Sequence, residues 1–96
     1  MATGYVGILS VELHFPESGS LKSKRSFVKS AKAQLHERFG ASVAEVDHQD
    51  LWQRATLAAV TVSSARESAE KVLHGAEDEA ADLVGPALVS ATVEWL

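Results

Sequence analysis

Hydrophobic and polar positions alternate from residue 5 to residue 15. Tyr5, Gly7, Leu9, Val11, Leu13 and Phe15 fall on one face, and Val6, Ile8, Ser10, Glu12 and His14 on the other. A period of two is the signature of a β-strand. The first face is apolar throughout. The second is apolar at Val6 and Ile8 and turns polar toward His14, which predicts a strand whose far end opens to solvent on one side. Pro16 and Gly19 then break the pattern. From residue 21 to 39 the period becomes helical, with Leu21, Val28, Ala31, Leu35 and Phe39 forming a stripe to be buried. Ser20 suits the N-cap of this helix, and Gly40 suits the stop at its end. Residues 41–47 alternate again, with Val43, Glu45 and Asp47 opposite Ala44 and Val46. A polar stretch follows, and residues 54–63, rich in β-branched side chains, predict a third strand. Two strands joined by so short a connection predict an antiparallel hairpin.

Ser64 is placed to cap a second helix over residues 65–83. Its inward positions are Ala69, Val72, Leu73, Ala76, Ala80 and Leu83, and its outward positions are mainly acidic: Glu67, Glu70, Glu77, Asp78, Glu79 and Asp82. Gly75 in its middle costs about 1 kcal/mol relative to alanine, which counts against one unbroken helix. Gly85 and Pro86 end it, and residues 87–96 read as a closing strand. The order β-α-β-β-α-β is the ferredoxin-like arrangement of the α+β class. Right-handed crossovers put both helices on one face of a four-stranded antiparallel sheet. The core expected beneath them comprises Leu9, Val11, Leu13, Val28, Leu35, Val60, Val62, Val72 and Val93.

At 96 residues the chain has room for one domain, spanning residues 1–96, and none for a second core. So small a domain is marginal in stability, and apolar residues on both faces of its first strand predict self-association into a dimer or higher homo-oligomer. A formal net charge of −4 argues against a polyanion binder by bulk electrostatics, so no DNA partner is expected. The absence of cysteine excludes disulfides, thiolate metal sites and a thiol nucleophile. Residues 1–7 lack a basic segment leading into an apolar one, and no apolar run approaches a membrane span. A cytoplasmic protein with no membrane partner is the resulting expectation.

Three features carry chemistry. Asp47, His48 and Asp50 lie within four residues, and a histidine flanked by carboxylates can serve as a general base or a metal ligand. Three ligands from one tight turn seldom face one point, and the same residues can instead accept backbone N–H groups and anchor the hairpin. Trp52, with Gln53 and Arg54 beside it, suits a stacking platform for a base, an interface anchor, or core packing. Together Asp47, His48, Gln49, Asp50, Trp52 and Arg54 form the candidate binding or interface segment. On the first helix Lys22, Arg25, Lys29 and Lys32 fall within an arc of about 80° beside the apolar stripe, a basic ridge suited to phosphates or to solvent. No phosphate-binding loop, dinucleotide fingerprint, zinc-protease pattern or nucleophile elbow occurs. No catalytic residue, metal ligand set or cofactor is therefore assigned.

Two segments carry a resemblance. The run Ser20-Leu21-Lys22-Ser23-Lys24-Arg25 and the run from Val43 through Asp47, His48, Gln49, Asp50, Leu51, Trp52, Gln53 and Arg54 to Ala55 together resemble the YlxP-like family of small bacterial proteins. The family pattern usually has a glutamate where this chain has Ser23, which leaves the ridge more basic here. The resemblance implies a ferredoxin-like fold with no assigned activity. It also implies an association with RNA, with ribosome maturation or with translation. The expectation is thus a binding or assembly domain. The alternative is a small enzyme or a metal- or ligand-binding protein built on Asp47, His48 and Asp50.

Overall fold

A computed structural model describes residues 4–15 and 21–96. The elements follow the expected order: β1 (Tyr5–His14), α1 (Leu21–Phe39), β2 (Ser42–Asp47), β3 (Arg54–Ser63), α2 (Arg66–Val84), a 3-10 turn (Gly85–Ala87) and β4 (Leu88–Trp95). The strands form one antiparallel sheet in the order β2-β3-β1-β4, so β1 and β3 are central and β2 and β4 are edges. This is the ferredoxin-like βαββαβ arrangement. The expected breaks at Pro16 and Gly19, the cap at Ser20 and the side chain of Leu21 lie outside the described residues.

Period-two alternation decides the two faces of the sheet. Leu9 pairs with Ala59, Val11 with Leu57 and Leu13 with Ala55, so the odd-numbered residues of β1 and β3 share a face. That face packs with Val28, Ala31 and Leu35 of α1 and with Leu73 and Ala76 of α2 in one buried cluster. Both helices therefore cover the same side of the sheet. Val60 and Val62 do not join this core. They are even-numbered residues of β3 and face away from the helices, and Val62 is 69% exposed. Ala55, Leu57 and Ala59 take their place. Val93 is on the helix side, opposite Leu9, but its edge strand leaves it 43% exposed, and Val72 is half-buried.

The helix ends obey local chemistry with one correction. Gly40 has φ +66 and donates its N–H to His36 O at 2.8 Å, the left-handed stop expected there. The second helix starts one residue later than expected, with Ala65 as N-cap and no side-chain cap. Ser64 does not cap it; Ser63 Oγ accepts the Ala65 N–H at 3.2 Å instead. Gly75 does not interrupt α2. A Cβ there would lie 2.6 Å from Cε1 of Phe39, so the glycine makes room for that ring and lets the two helices approach. Arg38 of α1 and Glu79 of α2 close the same contact with an ion pair at 2.9 Å.

Candidate functional site

The segment joining β2 to β3 is organised from below by Lys24. This lysine lies on α1 four, seven and eleven residues before Val28, Ala31 and Leu35, which places it within the buried stripe. Its side chain is fully buried. The ammonium group is satisfied by three oxygens: it donates to His48 O at 2.6 Å and to Leu51 O at 2.5 Å, and lies 2.8 Å from Glu45 Oε2. A buried charge is tolerated only when paired and hydrogen-bonded, and both conditions are met. Glu45 faces the helices because it pairs with Leu57 in the sheet.

Beyond Glu45 the strand carries a bulge. Glu45 pairs with Leu57 and Asp47 with Thr56, so Val46 is the extra residue and is 52% exposed. The chain then turns through His48, whose φ of +64 is the left-handed region rare for a non-glycine residue. Asp47 Oδ1 accepts the His48 N–H at 2.8 Å, and Leu51 N–H donates to His48 O at 3.0 Å to close the turn. Gln49 Nε2 reaches back to Glu45 O at 3.4 Å. The turn thus presents two of its carbonyl oxygens inward to Lys24 and exposes Asp47, Gln49 and Asp50, while His48 is half-buried. Leu51 is 47% and Trp52 41% exposed, an apolar pair at the rim of the turn.

After the turn, Arg54 opens β3 opposite His14 of β1. Arg54 Nη2 lies 3.5 Å from Glu12 Oε2, and Thr56 Oγ1 donates to Glu12 Oε1 at 3.0 Å. These three residues form a polar cluster at one end of the sheet face that the helices leave uncovered. At the other end of that face the central strands are apolar, with Val6, Ile8, Ala58, Val60 and Val62 and with Ala44 of β2 beside Ala58, while Glu94 of the edge strand β4 lies opposite Ile8.

The candidate residues are therefore split among three settings. Asp47, His48, Gln49 and Asp50 build and flank the turn, Trp52 projects at its rim, and Arg54 belongs to the open sheet face. Asp47 spends one carboxylate oxygen on the backbone of the turn; the other is 3.8 Å from His48 Nε2. Among the described residues, no three His, Asp or Glu side chains converge to hold a metal ion. Of the basic ridge, Lys22, Arg25 and Lys29 are exposed and Lys32 is half-buried. None of the four forms an ion pair with a described residue. Sequence reasoning missed Lys24 and Glu45, the two residues on which the turn is anchored. The signal was present: Lys24 is the one cation inside the helical spacing of the buried stripe.

Among the described residues, no helix is long and apolar enough to cross a membrane. In overall shape the molecule is similar to the de novo designed protein Foldit4, with a TM-score of 0.61 at 12% identity over 97% of this chain and 96% of that one. It is also similar to a C-terminal segment of the alpha subunit of aIF2 from Pyrococcus abyssi, with a TM-score of 0.56 at 12% identity over 100% of this chain and 51% of that one. At such identities the likeness is one of fold. In sequence the chain is 35% identical to "Uncharacterized protein YlxP" of Bacillus subtilis (strain 168) over 68 residues, 71% of this chain and 74% of the relative. The model of the family described as "Protein of unknown function (DUF503)" matches residues 6–92, and the chain belongs to that family.

Proposed function

We propose that residues 1–96 form a single non-enzymatic binding and assembly domain, acting in the cytoplasm and associating with copies of itself through the open face of the sheet. The observation that carries this reading is that uncovered face. Among the described residues no layer covers its apolar half, where Val62 is 69% exposed, while its other half holds the Glu12, Arg54 and Thr56 cluster. An interface of this kind needs an apolar centre and a satisfied polar rim. Four strands about 4.8 Å apart and about 27 Å long present on the order of 500 Å² in projection. A standard interface buries about 800 Å² per partner, so the 47–54 segment with Leu51 and Trp52 supplies the remainder. The Lys24 anchor holds that segment in one shape before contact, which lowers the ordering cost of binding.

Sedimentation across a concentration series tests this. The wild-type chain is expected above its 10.2 kDa monomer mass, and Val62→Asp is expected at the monomer mass. Trp52→Ala should weaken association by more than about 1 kcal/mol while the fold persists. A wild-type protein that stays at monomer mass at every concentration would end the reading.

A second reading is supported by the basic ridge. Lys22, Arg25, Lys29 and Lys32 point one way and pair with no described carboxylate, an arrangement suited to the phosphates of RNA in ribosome maturation or translation. RNA affinity that falls steeply with salt and is lost on replacing Lys22, Arg25 and Lys29 by glutamine would favour it. Affinity unchanged by those replacements would remove it.

A further inference from the structure

The side of the molecule away from the 47–54 turn holds a groove of about 310 Å³ between α2 and β4. Leu73, Val93 and Trp95 give it an apolar floor and wall, and Glu70, His74 and Glu77 stand around it. Glu70 and Glu77 are seven residues apart on α2, about 10.5 Å along the helix axis. The groove runs beside β4, an edge strand whose outer backbone has no strand partner among the described residues. This edge carries no proline, lysine or arginine over its eight residues, and its bulge, at Val89, lies at the end of the strand away from Val93 and Trp95. Val93 and Trp95, which line the groove, alternate with Thr92 and Glu94, which pair with Ser10 and Ile8 and so face the open side.

Within the molecule, Arg66 already occupies part of this surface. The guanidinium carbon of Arg66 lies 4.6 Å from the centre of the Trp95 ring, and its Nε donates to Glu70 Oε1 at 3.0 Å. An aromatic face and a carboxylate together make a site for a delocalised cation. Arg66 satisfies only part of the groove; Glu77 forms no ion pair with a described residue.

The geometry points to β4 and its groove as a docking site for an extended peptide segment of a partner protein bearing arginine at alternate positions. The segment adds to the β4 edge by backbone hydrogen bonds. Its side chains on the helix side, spaced about 6.8 Å apart at every second residue, enter the groove against Trp95, Glu70 and Glu77. Charge complementarity selects a basic occupant, and alternation along a strand selects the spacing.

The test uses the full chain and a fluorescent peptide of about eight residues alternating valine and arginine, to match the length of β4. Binding to wild type is expected. The valine–glutamate counterpart, and the same basic peptide with alternate backbone nitrogens methylated, should each bind at least about tenfold more weakly. Glu70→Gln with Glu77→Gln should lose affinity for the basic peptide to a similar degree. Arg66→Ala should gain affinity, because it vacates the Trp95 face and frees Glu70, an outcome that a purely structural role for these residues would not produce. Val62→Asp should bind the peptide as wild type does, which separates this site from the open sheet face. Equal binding of the methylated peptide, or no effect of the double glutamine variant, overturns the proposal. If that variant instead abolishes self-association of the wild-type chain, the occupant is a second copy and the peptide proposal falls.

Discussion

The two edges of this sheet are finished differently. At β2 the strand is short, bulged at Val46 and drawn inward by a lysine that crosses from α1 to hold a carboxylate and two carbonyls. At β4 the strand runs eight residues and ends beside an open groove, with Val89 66% and Leu96 84% exposed. A bulge and inward-pointing charges are ways of closing an edge to other strands. Both edges carry a bulge, β2 at Val46 and β4 at Val89. The difference lies in the inward Lys24–Glu45 pair, found at β2 alone among the described residues, which makes that edge a rigid presenter of a turn. The other is left able to pair.

The largest effect should come from removing the anchor at β2. Lys24→Met leaves Glu45 and two inward carbonyls without their cation, and breaking one side of a buried pair costs about 3–5 kcal/mol. Chemical denaturation would read this, and adding Glu45→Leu to the same chain should recover part of the loss. If Lys24→Met is neutral, the contrast between the edges collapses. The β4 side is probed by Gly7→Ala, because a Cβ there would lie 2.6 Å from Leu73 Cδ1 and 2.9 Å from Trp95 Cζ3. Overpacking of that kind costs about 1–3 kcal/mol and should shift the Trp95 fluorescence as the ring is displaced. An unchanged spectrum would mean that the ring is not held against β1. The smallest effect is expected at the turn. His48→Gly removes the left-handed strain at φ +64 and should change stability by no more than about 1 kcal/mol, in the stabilising direction. A larger loss would show that the imidazole itself holds the turn.

Much of the fold was legible because each element announces itself by its own period. The strand over β1, the helix ending at Gly40 and the β-branched run of β3 follow from local rules, and their limits agree with the structure to a residue or so. The candidate site was legible only in part. The polar run from Asp47 to Asp50 marked a turn correctly. Its anchor lies more than 20 residues away on another element, and a hydrophobic stripe read by residue type passes over a lysine.

By itself, the sequence determined the element order, the two apolar helix faces and the glycine stops, since these rest on spacing and backbone preference within a few residues. The tertiary structure decided which face of β3 is buried. Both of its faces carry aliphatic residues, and only pairing with β1 puts Ala55, Leu57 and Ala59 inside and Val60 and Val62 outside. It also decided the meaning of Gly75, which a helix scale counts as a defect and the Phe39 ring makes a contact. The same holds for Lys24. A lysine is a surface residue until three oxygens from another segment converge on it, and that convergence exists only once α1, β2 and the turn are packed together.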